Sequence, residues 1–112
     1  MQYTFQFAQD HLRAELYGRD TVEETARFID ALTTEARKHG TSRILIWVRN
    51  SRPIFKRLAE VKGARVALLA DSDEVRASHQ YIEVLAAQEG AQVRAFRDEA
   101  AALRWLRAQS QE

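Results

Sequence analysis

The chain has 112 residues, 46% of them apolar and 29% charged, with seventeen basic side chains against sixteen acidic ones and no cysteine. That length suits one domain with a single core. The near-balance of charge lacks the clustered, uncompensated Lys and Arg that a nucleic-acid binder needs, and the absence of cysteine rules out disulfides, thiolate nucleophiles and cysteine zinc sites.

The opening stretch, MQYTFQFAQDH, has neither the basic n-region nor the long apolar h-region of a secretory signal. The longest apolar run, Ile44 to Val48, is too short to span a bilayer. A soluble, cytoplasmic single domain over 1–112 with no membrane span is therefore expected.

Tyr3, Phe5 and Phe7 alternate with Gln2, Thr4 and Gln6, the period of a strand with one buried face. Leu12, Ala14 and Leu16 repeat the alternation after the tetrapeptide AQDH, so the two runs read as an antiparallel hairpin ended by Gly18. Thr21 and Glu24 stand at capping-box spacing and open a helix. Val22, Ala26, Ile29, Leu32 and Ala36 supply its apolar face, and His39-Gly40 closes it.

Beyond this point a helix ends in glycine and an apolar strand follows, three times over: HGTSRILIWV at Gly40, KGARVALLA at Gly63 and EGAQVRAF at Gly90. Each strand runs into a polar helix start, at Asn50-Ser51-Arg52-Pro53, at Asp71-Ser72-Asp73-Glu74 and at Arg97-Asp98-Glu99. Ile54, Leu58 and Val61 form the inner face of the first of these helices. Val75, Ile82 and Ala86 do so for the second, and Ala102, Leu103 and Leu106 for the last. ILIWV and VALLA are apolar on both faces, as central parallel strands are, whereas VRAF alternates and belongs nearer an edge. The expected fold is α/β: an N-terminal β-hairpin, then alternating α and β, giving a five-stranded mixed sheet with four helices.

The hairpin, the helix opening TVEE, the buried RILIWV and the closing VRAFRDEAAALRWL together resemble the SpoIIAA-like (STAS-like) domains, the small stand-alone bacterial members in particular. The resemblance covers essentially the whole chain. It implies a β-α superhelical fold related to the anti-sigma-factor antagonists and, more remotely, to the CRAL-TRIO lipid-binding domains, and it does not imply an enzyme. Partner-switching antagonists carry Asp-Ser-Ser/Thr-Gly after the central strand, with a phosphorylated serine. Here the counterpart is Asn50-Ser51-Arg52-Pro53, which lacks the aspartate, the second hydroxyl and the glycine and so argues against phospho-switching.

Ser51 has two readings. As an N-cap it would accept an early helix amide, with Pro53 in the first turn where a missing N–H costs nothing. As a phospho-site it would sit at a positive helix end beside Arg49 and Arg52. The cap is the preferred reading.

Ligands of open parallel sheets favour the carboxyl ends of the strands, so Arg49, Asn50, Ser51, Arg52, Asp71 and Arg97 are the candidate binding residues. They would hold a small molecule or lipid in a polar pocket with an arginine clamp; otherwise these groups merely cap helices and neutralise one another. The three histidines have no ligand spacing, so no metal is expected. No Gly-x-Ser-x-Gly elbow or glycine-rich phosphate loop occurs, so no catalytic residue and no cofactor is assigned.

Phe55 and Trp105 lie off the core stripes of their helices and are the candidate partner surface, for another protein or for a second copy in a homodimer. The first functional expectation is thus a non-enzymatic regulatory or interaction module. The alternative is a small-ligand or lipid-binding domain using the carboxyl edge.

Overall fold

The computed structural model describes residues 1–51, 65–88 and 92–108. Their elements, in chain order, are β1 (Gln2–Ala8), β2 (His11–Tyr17), α1 (Val22–His39), β3 (Arg43–Arg49), β4 (Arg65–Ala70), α2 (Asp73–Gln88), β5 (Gln92–Ala95) and α3 (Glu99–Arg107). The five strands form one sheet in the order β1-β2-β3-β4-β5. β1 and β2 pair antiparallel, from Gln2 opposite Tyr17 to Ala8 opposite His11. The pairings β2-β3, β3-β4 and β4-β5 are parallel. The α/β class and the five-stranded mixed sheet are as expected from the sequence. The helix expected around Ile54, Leu58 and Val61, and the turns at Gly63 and Gly90, lie outside the described residues. No helix among the described residues is long and apolar enough to cross a membrane.

Local chemistry explains the element ends. The hairpin turn is tighter than the tetrapeptide AQDH suggests, because Ala8 and His11 both join the strands. Only Gln9 and Asp10 remain in the loop, with Gln9 at φ 53°. The capping box of α1 is complete: Thr21 Oγ1 accepts the Glu24 N–H at 3.1 Å, and Glu24 Oε1 accepts the Thr21 N–H at 3.1 Å. Gly40 closes the helix at φ 63° in the left-handed region, where a side chain would be strained. Asp98 Oδ1 accepts the Ala101 N–H at 2.8 Å and caps α3.

α1 and α2 cover one face of the sheet. There Leu12, Ala14, Leu16, Ile44, Ile46, Val48, Val66, Leu68 and Val93 pack against Phe28, Leu32, Val75, Ile82 and Ala86. The inner face of α1 is turned from the expected stripe: Thr25, Phe28 and Leu32 are buried, while Val22 is half exposed. The aromatic side chains of β1 cause this, since Tyr3 and Phe5 meet the Phe28 ring at centroid distances of 5.6 and 6.0 Å. α3 covers the other face through a smaller cluster of Leu45, Ala67, Leu69, Ala102 and Leu106, with Trp47, Phe96, Leu103 and Trp105 around it. Arg65 fastens the end of α3, donating from Nη1 to the carbonyls of Trp105 and Ala108 at 2.7 Å each.

The two outer strands differ. β5 spans four residues and carries the exposed Arg94, and its Ala95 N–H donates to Glu83 Oε2 at 2.9 Å. β1 spans seven residues, with no charged side chain and no proline between Gln2 and Ala8.

Candidate functional site

Because β2, β3 and β4 run parallel, their carboxyl ends lie side by side. Each end is fixed to its neighbour by the backbone. Gly18 N–H donates to Arg49 O at 3.2 Å, and Asp71 N–H donates to Val48 O at 3.2 Å. Past these bonds the strands part, leaving a cleft of about 750 Å³ lined by Gly18, Arg19, Asp20, Asn50, Ser51, Asp71, Ser72 and Glu74.

Polar side chains shape its walls. Ser51 Oγ accepts the Arg19 N–H at 3.1 Å and donates to Arg49 O at 2.9 Å, joining the ends of β2 and β3. Asn50 takes a left-handed conformation, φ 47°, which asparagine tolerates better than most residues. That turn delivers its N–H to Asp71 Oδ2 at 3.1 Å. Ser72 Oγ accepts the Val75 N–H at 3.2 Å and so caps α2, as its place before that helix suggests.

Behind the cleft lies an uncommon concentration of buried base. Arg19 is 1% exposed and His79 fully buried. Burial lowers the Arg19 guanidinium to about 10, although Glu24 pulls the other way. Burial first, then the charges of Arg19 and Arg76, hold the His79 imidazole down to about 3. Among the described residues neither ring nitrogen of His79 has a hydrogen-bond partner. His79 is thus a neutral core side chain at ordinary pH, beside Val75 and Ile82 on the inner face of α2. Arg76 donates from Nη2 to Ala70 O at 3.1 Å, at the end of β4.

Of the six candidate binding residues, the structure brings three together: Asn50, Ser51 and Asp71. Arg49 is adjacent in sequence but points to the α3 side of the sheet. There its guanidinium stacks over the Trp47 ring at 4.2 Å and approaches Glu15 at 3.9 Å. Arg97 is exposed on the turn between β5 and α3 and does not line the cleft. Arg52 lies outside the described residues, as do Phe55 and the helix that Ser51 would cap. Trp105 is half buried, with its ring 5.6 Å from that of Phe96 and 4.8 Å from the Arg65 guanidinium. It borders a smaller groove of about 310 Å³ with Arg65, Gln92 and Arg94.

Sequence reasoning missed Gly18, Arg19, Asp20 and the contribution of Glu74. The signal for the first three was the end of β2, which joins this edge only because β2 pairs parallel with β3. Among the described residues no group of three or more His, Asp or Glu side chains is placed to hold a metal ion.

The described lining carries three carboxylates, Asp20, Asp71 and Glu74, against one guanidinium, Arg19. Such a wall suits a ligand rich in hydrogen-bond donors better than an anion. Neither a family model, nor a curated protein, nor a solved structure gives a significant match to this chain.

Proposed function

We propose that this chain is a non-catalytic regulatory module of the SpoIIAA-like kind, whose carboxyl-edge cleft takes a small, donor-rich molecule such as an amine or a polyol. The first half of that reading rests on the resemblance, and the N-terminal hairpin followed by alternating helices and parallel strands is in keeping with it. One observation carries the second half: three adjacent strand ends open into a single cleft walled by carboxylates, hydroxyls and a buried arginine. Binding fits this site better than hydroxyl chemistry. The Ser51 hydroxyl spends its proton on Arg49 O and accepts from the Arg19 backbone, so it is a brace and not a poised nucleophile.

Native mass spectrometry of the protein purified from its own cells, followed by thermal-shift measurements against a panel of amines, amino acids and polyols, tests the reading. A bound small molecule, or a panel member that raises the melting temperature, is expected. Asp71→Asn should weaken that binding by about tenfold or more, the scale of one lost charge-assisted hydrogen bond. A chain that carries nothing and responds to no member of the panel would refute the cleft as a ligand site.

A further inference from the structure

The outer edge of β1 is built to pair, and the backbone shows how. Gly18 N–H reaches across to β3, so the even-numbered residues of β2 turn their backbone groups towards β3 and the odd-numbered ones towards β1. Through the register Gln2–Tyr17 to Ala8–His11, the even-numbered residues of β1 then close the hairpin ladder. The N–H and C=O groups of Tyr3, Phe5 and Phe7 face outward along the sheet edge. Natural sheets blunt such edges with charge, proline, bulges or brevity. β5 is treated in this way, by its four-residue length, by Arg94 and by Glu83 on the Ala95 N–H. β1 has none of these devices over seven residues.

We infer that two copies of this chain pair through β1, antiparallel about a two-fold axis at Phe5, to form a continuous ten-stranded sheet. The sequence of β1 is self-complementary under that reversal. Phe5 meets Phe5 of the second copy, and Tyr3 meets Phe7. The aromatic residues stay on one face and the polar residues on the other, and aromatic cross-strand pairs are favourable. Tyr3 and Phe7 are 37% and 40% exposed, so a second strand covers aromatic surface that the single chain leaves in water.

The charges on α1 obey the same reversal. Phe28 lies against Tyr3 and Phe5, and His39 stacks on Phe7 at 4.7 Å, which places Ala31 at about the level of Phe5. Helical spacing sets Glu24, Arg27, Ala31, Glu35 and Lys38 along the β1 flank of α1. Reversing the helix about Ala31 sets Arg27 against Glu35 and Lys38 against Glu24. Each acid keeps its own partner in the chain, His39 at 3.5 Å from Glu35 and the Met1 ammonium at 3.4 Å from Glu24. Each acid of one copy thus faces a base of the other, at the same level as the strand pairing. This complementarity selects a second copy as the occupant.

Sedimentation velocity across a wide concentration range, with hydrogen exchange at both ends of it, tests the inference. A reversible monomer–dimer equilibrium is expected, with the Tyr3, Phe5 and Phe7 amides slowed in the dimer. Thr4→Lys with Gln6→Lys sets lysine against lysine at the pairing without touching the core, because both side chains are exposed. That variant should melt like the parent at concentrations where the parent is monomeric, and should sediment as a monomer throughout. Arg27→Glu should weaken the dimer about tenfold, and adding Glu35→Arg should restore it. A parent chain that stays monomeric throughout leaves the edge to some other strand and overturns the proposal. So does a dimer that survives the double-lysine variant or leaves those three amides in fast exchange.

Discussion

On β2, β3 and β4 the even-numbered side chains enter a dry layer under α1 and α2, while the odd-numbered ones meet a mixed layer under α3. The first layer is mostly aliphatic and aromatic, from Leu12 to Val93, with Thr25 of α1 and Ser78 and His79 of α2 buried beside it. The second has a small apolar centre, Leu45, Ala67, Leu69, Ala102 and Leu106, beside a polar network. In that network Glu99 Oε1 accepts from Arg13 Nη2 at 3.0 Å and from Trp47 Nε1 at 2.8 Å. Arg13 and Tyr17 both donate to the Glu15 carboxylate. The hydrogen bonds from Tyr17 and then Arg13 hold Glu15 below the usual carboxylate range, and Arg13 first holds Glu99 there as well. The α1/α2 face is therefore held by burial, which depends on volume and is opposed in acid by the buried His79. The α3 face is held partly by partly exposed charge pairs, which depend on salt.

Truncating neighbours of opposite parity separates the two layers most sharply. Leu68→Ala, among rigid aliphatic neighbours, should cost about 3–5 kcal/mol by chemical denaturation. Leu69→Ala sits beside Ala67, Ala102 and the half-exposed Trp47 and Trp105, where the site collapses more readily. It should cost about 2–3 kcal/mol. Equal losses would erase the distinction.

Acid separates the layers next, because His79 belongs to the first and Glu15 and Glu99 to the second. The folded-state imidazole of His79 is held at about 3, below its ordinary value near 6.5. Between those values the unfolded chain binds the proton and the folded one does not. Stability is complete above about pH 6.5 and falls progressively as the pH drops towards 3, by up to a few kcal/mol. The lowered carboxyl groups Glu15 and Glu99 follow the same sign but only in stronger acid. His79→Leu should remove the early part of the acid limb and leave the later part; a parent chain equally stable at pH 5 and pH 7 would contradict this.

Smaller effects come from the caps. Thr21→Ala at the head of α1 and Asp98→Ala at the head of α3 should each cost about 1 kcal/mol, read as a shift in the denaturation midpoint. The smallest expected change is Glu99→Gln, below about 1 kcal/mol, because the amide oxygen still accepts from Trp47 and the lost pairing with Arg13 is partly solvated. The parent should lose more stability than this variant when salt is added at neutral pH, because the Arg13–Glu99 pair is screened only in the parent.

Much of this architecture was legible in the alternation of apolar residues, which marked the hairpin, the two central strands and the edge character of β5. Both N-caps and the glycine closing α1 were equally plain, because each is a local backbone need met by a local side chain. What periodicity withheld was relation. The stripe Val22, Ala26, Ile29, Leu32 and Ala36 rightly brings Leu32 into the core, with Ile29 and Ala36 packed on it. It overlooks Phe28, which aromatic residues of β1, twenty and more positions away, claim, and it includes Val22, which is half exposed. Arg49 was expected at the cleft since it ends a central strand, yet Val48 faces α1 and α2, so Arg49 must face α3. The alternation was visible; the side on which the cleft would open was not. Arg19 was overlooked for the same reason, since only the β2–β3 pairing brings it to the edge.

The strands stand in space in the order in which they occur along the chain. Each one after the first, as it leaves the ribosome, finds one neighbour already made, and the fold can accrete from one end without waiting for the other. The structured part of a nascent chain then always ends in a raw border, first at β2, then at β3, then at β4. Only the arrival of the short last strand, with Glu83 laid along it, seals that border.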